Sequence, residues 1–180
     1  MRTMIDWAPR IVELVRLKEQ ISRYDVDRIF PYTLPSVAAS PERLDAYEQG
    51  TGLTLDPGHR SFLAAADGWR AFFETQDLLS VEQLASGEHR DVFTAWIDSA
   101  PPQAREQGYS SATLLPIAVD FEMPFYAAMP VVDGRVASQV ISLDPSGIIE
   151  VFDSFEEYFD AIIVYTKRKL TKFESGTFGK

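Results

Sequence analysis

The chain has 180 residues, 46% of them hydrophobic and 12% aromatic, with no cysteine and a formal net charge of −10 at pH 7. This composition supports a packed core in one domain, or in one domain plus an extension, and excludes wholesale disorder, disulfides and cysteine nucleophiles. No apolar run approaches the ~20 residues that a membrane span needs, and charged residues interrupt any signal-peptide core, so we expect a cytoplasmic protein without a membrane partner.

The N-terminal part is predicted to be helical. Residues 5–24 have the spacing of an amphipathic helix, with Asp6 as its N-cap and Pro9 in its first turn. We expect this helix to pack on the core; the alternative is a partner-docking or dimerising helix. A proline-rich linker follows at residues 32–40. The predicted organisation is an N-terminal helical extension and linker over 1–39, a main domain over 40–170 and a flexible tail over 171–180.

Two short helices and a turn open the main domain. The first helix is predicted from Pro41 to the glycines at 50–52, and the second from Asp56 to Ala66. Asp67-Gly68 then reverses the chain into a strand with three aromatic side chains, Trp69, Phe72 and Phe73.

The next segment returns to helix. A short strand at 77–80 leads to a helix that Ser80 caps, with Gln83 completing a capping box. Residues 89–107 are predicted to be helical in two pieces, broken at Pro101-Pro102.

The second half has the period of β-strands. Strands are predicted at 114–119, 125–132, 137–143 and 148–152, with turns at Asp133-Gly134 and at 144–147. Ser154 caps a final helix whose acidic start and basic end match the helix dipole.

The sequence contains no recognisable catalytic, cofactor or metal motif. There is no nucleophile elbow, no Walker loop and no dinucleotide-binding glycine pattern. The two histidines, His59 and His89, lack metal-ligand spacing, and we expect a surface or capping role for both. We therefore predict no catalytic residue, no cofactor and no metal ligand.

Carboxylates at strand ends leave three interpretations open. Asp120, Glu122, Asp133 and Asp153 could serve as general acids or cation ligands in a small hydrolase, as solvated turn charges, or as a negative patch for a protein partner. Phe121 lies among them and could be an exposed aromatic anchor. The predicted partner-binding residues are Glu74, Asp77, Asp120, Phe121, Glu122 and Asp133.

The uneven charge indicates the kind of partner. Residues 41–160 carry 21 acidic and six basic side chains, a net charge of −15, whereas residues 1–40 have a net charge of +1 and residues 161–180 of +4. An acidic body repels phosphate backbones, so we expect no nucleic-acid partner. It suits a basic protein partner, although solubility alone also accounts for a low isoelectric point.

The order of motifs over residues 40–165 resembles the SUKH superfamily, which includes the yeast cell-wall-synthesis regulators. The resemblance rests on a helix that ends in glycine, the Phe62-Leu63 pair, the Asp67-Gly68-Trp69 turn, the Leu114–Ile117 strand and the closing helix after Phe152. The segment Asp120–Met123 lacks the Gly-Asp-x-x-x-x-Asp pattern that is usual in the family at this place.

The resemblance implies an α+β fold with a mixed, mostly antiparallel sheet and helices packed against it, here with an added N-terminal helix. It also implies a non-enzymatic protein, since many bacterial members look like immunity proteins that neutralise a secreted polymorphic or contact-dependent toxin by direct binding. Other members look like regulatory or scaffolding modules without a toxin partner. We expect a monomer or a homodimer that binds a basic toxin domain.

Overall fold

A computed structural model describes residues 5–85, 87–99, 104 and 106–178. The described helices are α1 (Ala8–Tyr24), α2 (Pro41–Thr51), α3 (Pro57–Leu63), α4 (Val81–Ala85), α5 (Glu88–Ser99) and α6 (Phe155–Glu174). The described strands are β1 (Trp69–Phe73), β2 (Gln76–Leu78), β3 (Leu114–Val119), β4 (Tyr126–Val132), β5 (Arg135–Val136), β6 (Val140–Asp144) and β7 (Gly147–Phe152).

The seven strands form one sheet in the order β1-β2-β3-β4-β6-β7, with β5 paired to β4. All pairs of named strands are antiparallel, and Thr54 and Arg135 add an isolated parallel bridge. The predicted α+β class with a mostly antiparallel sheet is therefore confirmed.

Helices cover both faces of the sheet. Tyr126 of β4 packs on Phe93 and Trp96 of α5, with ring centroids 5.5 and 4.5 Å apart. Glu150 of β7, beside Ser142 in β6, accepts a hydrogen bond from Tyr165 of α6. Tyr126 is paired in register with Leu143, so these two side chains lie on the same face of the sheet. Because successive side chains of a strand point to opposite faces, Ser142, the neighbour of Leu143, lies on the other face. Helices α5 and α6 therefore lie on opposite faces.

The N-terminal helix is part of the core, as expected. Leu14, Leu17 and Ile21 are buried, and α1 packs along α6. Trp7 is also buried, with its ring 5.4–5.6 Å from Phe62, Phe155 and Phe159. The predicted cap is different: the helix begins at Ala8, and Asp6 only accepts a hydrogen bond from the amide of Ala8, 3.2 Å away.

The segment from residue 24 to residue 37, which we call the strap, leads from the end of α1 towards α2. It is extended over most of its predicted linker part, but it is bound to its neighbours. The amide of Ser36 donates to the carbonyl of Gly68 (3.0 Å), and the indole of Trp69 donates to the carbonyl of Thr33 (3.2 Å). The strap thereby covers the edge of the sheet at β1.

Local signals in the sequence produce the helix ends. Ser80 and Gln83 form the predicted capping box, with bonds of 2.9 and 3.3 Å, and Gly52 ends α2 with φ of +69°. Helix α3 ends at Leu63, three residues earlier than predicted, because the amide of Ala65 bonds to the carbonyl of Phe62, three residues back, and so breaks the four-residue pattern of the helix. The Pro101-Pro102 break lies outside the described residues.

The Asp67-Gly68 turn holds three elements together. Asp67 accepts a bond from the amide of Val81 at the start of α4 (2.7 Å) and pairs with Arg43 of α2 (2.9 Å). Gly68 has φ of +82°, and a β-carbon there would lie 2.6 Å from the amide nitrogen of Ser80. Only glycine can be accommodated so close to Ser80, so the turn has a structural role.

The last helix continues beyond the predicted domain end at residue 170. Helix α6 continues to Glu174, and Phe178 stacks on Phe173 with centroids 4.1 Å apart. Both rings also contact Phe30 of the strap. The flexibility of the tail stays a prediction, but these contacts hold residues 173–178 against the strap.

Candidate functional site

The loop between β3 and β4 is built around the carboxylate of Asp120. Its Oδ1 accepts hydrogen bonds from the amides of Glu122 (2.8 Å) and Met123 (3.1 Å), and its Oδ2 accepts one from the hydroxyl of Thr75 (2.7 Å). The amide of Asp120 in turn donates to the carbonyl of Phe125 (3.2 Å). Aspartate at a strand end organises such turns because its side chain replaces backbone acceptors.

A second network fixes the base of this loop. Buried Gln76 donates to the carbonyl of Phe125 (3.2 Å) and accepts from the hydroxyl of Tyr158 (3.3 Å). Burial, and secondarily the negative charge of Asp120, raises the pKa of Tyr126 at the other side of the loop. The loop is therefore a rigid turn rather than a mobile one.

The loop presents apolar side chains to solvent. Phe121 is 45% exposed and Met123 is 63% exposed, with exposed Glu122 between them. The ring of Phe121 stands edge-on against His89, with centroids 4.6 Å apart and planes at 78°. His89 in turn lies 3.2 Å from Oδ2 of Asp77, whose Oδ1 accepts from the amide of Ala71 (2.7 Å). The ring of Phe121 therefore packs on a histidine that is itself held in place by Asp77.

Three carboxylates in or next to this part of the surface form no ion pair with another described residue. Glu88 and Asp91 flank His89 in the first turn of α5, where they also stabilise the helix dipole. Neither they nor Glu122 takes part in an ion pair within the described part of the chain. We call residues 120–125 together with Glu88 and Asp91 the acidic loop face.

The structure brings five of the six predicted partner-binding residues to one end of the sheet. Asp77 is paired in register with Val119, the last residue of β3, and Asp120 and Phe121 come directly after that strand. Glu74 precedes Thr75, whose hydroxyl donates a hydrogen bond to Asp120. Asp133 lies at the far end of β4, roughly 20 Å away at ~3.3 Å per residue. Whether any of the six contacts a partner stays a prediction.

These residues differ in what they can offer a partner. Asp77 and Asp120 are committed to bonds within the fold, and Asp120 is buried. Glu74 pairs with Lys169, whose ammonium lies 3.9 Å from the ring of Phe30. Burial lowers the pKa of Lys169, opposed by the bond to Glu74. Phe121 and Glu122 remain accessible.

Sequence reasoning missed the support of the loop. His89 was expected at the surface or as a cap, but it lies half-buried under Phe121, and Thr75 and Gln76 had no assigned role. No local pattern could reveal these contacts because the partners are far apart in the chain. The expectation for His59 was also wrong: its ring is fully buried against Phe155, with centroids 4.8 Å apart.

The carboxylates of the hydrolase alternative are not assembled into one site. Register places Leu143 beside Tyr126 and Phe152 beside Val140, so Asp153 lies at the end of the sheet opposite to Asp120. Among the described residues, no group of three or more His, Cys, Asp or Glu side chains could hold a metal ion. Nor does the described part of the chain contain a helix long and apolar enough to cross a membrane.

Comparison with known families identifies most of the chain. Residues 38–161 match the SMI1 / KNR4 family (SUKH-1), which confirms the resemblance and nearly coincides with the predicted range. A comparison with curated proteins gives no significant match. The match spans α2 through the first turns of α6 and leaves α1 and the whole strap outside. The chain belongs to the SMI1 / KNR4 family (SUKH-1).

Proposed function

We propose that this protein is a non-enzymatic, cytoplasmic immunity protein that neutralises a cognate secreted toxin by direct binding. The toxin would belong to a polymorphic or contact-dependent system, and its bound domain would be basic. The observation that carries the proposal is the acidic loop face, where a hydrogen-bonded turn exposes Phe121 and Met123 near carboxylates that form no ion pair with any other described residue.

The rigidity of the loop favours binding. A side chain that is already held in place loses little conformational entropy when a partner covers it. The bonds of Asp120 and the contact with His89 provide this preorganisation for Phe121. Exposed aromatic and methionine side chains surrounded by charge have the composition of interface hot spots.

Charge supports a basic partner. The net charge of −15 over residues 41–160 produces a negative field that accelerates encounter with a positively charged protein. Glu88, Asp91 and Glu122 would then form rim contacts around the apolar centre. The same field disfavours nucleic acid as a direct ligand.

A regulatory or scaffolding module without a toxin partner is the alternative. The observation that favours it is the ordered addition of α1 and the strap to the family domain, since an added surface can serve assembly. A growth assay separates the two functions because only an immunity protein relieves the toxicity of a specific polypeptide.

The experiment is co-expression with the polypeptide encoded by the neighbouring gene. We expect this protein to restore growth of cells that produce the toxic polypeptide, and to co-purify with it in a 1:1 ratio. A catalytically inactive version of the polypeptide serves as the control for binding without toxicity. Growth that is not restored, together with no co-purification, would contradict the immunity function.

A further inference from the structure

The strap exposes an unusual concentration of apolar side chains. Thirteen large hydrophobic residues are exposed within the described part of the chain, and six of them lie in this 14-residue segment: Tyr24, Val26, Ile29, Tyr32, Leu34 and Val37. Val26 is 88% exposed and Val37 is 90% exposed. Exposed apolar side chains are normally scattered singly, and a contiguous group marks an interaction site.

The exposure does not come from a loose loop. The carboxylate of Asp25 accepts bonds from the amides of Ile29 (3.0 Å) and Phe30 (2.6 Å). The ammonium of buried Lys18 donates to the carbonyl of Pro31 (3.3 Å) and to that of Ala71. With the bonds to Gly68 and Trp69, these contacts hold the backbone of the strap in place, so less conformational entropy is lost when its apolar side chains are covered.

The C-terminal aromatic residues extend the patch. Tyr24, Val26 and Ile29 line a groove of about 270 Å³ together with Phe173 and Phe178. The six strap residues are 43–90% exposed, and an apolar surface of this kind marks an interaction site.

The charge around the strap indicates what covers it. Its exposed charges are one acid and one base, Asp27 and Arg28, because Asp25 is buried. The flanking segments 1–40 and 161–180 carry net charges of +1 and +4, in contrast to −15 for the body between them. A basic protein is steered to the acidic body, whereas this near-neutral surface is where two copies approach with the least repulsion.

We propose that the strap is the interface of a homodimer, covered by the strap of a second copy. Face-to-face packing of the two straps buries the exposed aliphatic residues and keeps the acidic bodies apart. The oppositely charged Asp27 and Arg28 allow pairing across a two-fold axis, where each residue of one copy meets the other residue of its partner. This inference does not depend on the proposed function.

Analytical ultracentrifugation of the full chain tests the inference. We expect a concentration-dependent dimer of twice 20.3 kDa, which the double substitution Val26→Lys and Val37→Lys converts to a monomer by raising the dissociation constant at least ~30-fold. Both positions are so exposed that the substitutions leave the fold intact. Val12→Lys with Val132→Lys is the matched control, since these valines are exposed outside the strap, and should preserve the dimer.

Salt provides a second readout. Added sodium chloride screens the repulsion between the acidic bodies, so the dimer should become tighter from ~50 to ~500 mM salt. A single 20.3 kDa species up to ~500 µM protein would overturn the inference, because a specific dimer should form below that concentration. A dimer that the strap substitutions leave unchanged, or that salt weakens, would overturn it as well.

Discussion

Buried polar side chains with and without partners are the most informative single residues of this protein. Asp120 is buried and forms three bonds that shape the candidate site. His59 is fully buried, and neither of its ring nitrogens has a hydrogen-bond partner among the described residues. A buried imidazole without partners is tolerated only when neutral, because a buried unpaired charge is costly.

The stability of the protein should therefore depend on His59 in mildly acidic solution. Burial lowers the pKa of His59 to about 3 from an unperturbed 6.5, so the unfolded chain binds the proton more readily than the folded one. The stabilisation is fully present above pH 6.5 and is lost as the pH falls towards 3, by up to ~1.4 kcal/mol per pH unit. Urea denaturation at pH 7.0, 5.5 and 4.5 measures this loss.

Two substitutions isolate this effect. His59→Phe retains a ring against Phe155 and should remove the histidine part of the acid destabilisation. His89→Gln, at the half-buried histidine, should leave that part in place. An equal loss of unfolding free energy between pH 7.0 and 4.5 in the wild type and in His59→Phe would contradict the assigned cause.

At the scale of elements, α1 belongs to the core although it lies outside the family match. Trp7 fills a space between α3 and α6 against three aromatic rings, and Lys18 ties the helix to Ala71 of β1. Removal of the helix would expose the buried faces of α3 and α6. The predicted boundary at residue 40 thus marks where the family match begins more than where the packed core begins.

A single substitution measures how much this packing contributes. Trp7→Ala should lower the free energy of unfolding by about 3–5 kcal/mol, as expected for a truncated core aromatic residue. Val12→Ala, on the exposed side of the same helix, should change it by less than ~0.5 kcal/mol. Comparable small losses in urea denaturation for both variants would show that α1 is not part of the core.

The sequence predicts the elements of this fold better than their contacts. The capping box at Ser80, the glycine end of α2 and the Asp133-Gly134 hairpin depend on residues a few positions apart, and all three form as predicted. The support of Phe121 by His89 and the anchoring of Ala71 by Lys18 join residues that are distant in the chain. Those contacts arise from the tertiary fold, which hydrophobic period and turn chemistry do not encode locally.

The candidate site shows the same division. Strand-end position alone predicts the carboxylates of the β3–β4 turn, and the structure places five of the six predicted residues at that end of the sheet. Burial then separates them, because Asp120 and Asp77 bond inward while Phe121 and Glu122 face solvent. A sequence pattern identifies the residue types, but only packing decides which of them a partner can reach.

The whole molecule has two surfaces of different character. The acidic loop face combines an exposed apolar turn with carboxylates that form no ion pair among the described residues, while the strap is apolar and nearly neutral. Under the two proposals, electrostatic steering would bring a basic partner to the first surface, whereas hydrophobic burial would drive association of two copies at the second. The central claim is that a partner binds at the acidic loop face.

Isothermal titration with the inactive form of the neighbouring gene's product tests that claim most directly. Phe121→Ala should weaken binding by at least ~30-fold, as expected for an interface anchor, while the matched control Val132→Ala should bind like the wild type. Glu122→Lys should slow association and reduce its dependence on salt. Binding that is tight and unchanged in both Phe121→Ala and Glu122→Lys would contradict the account.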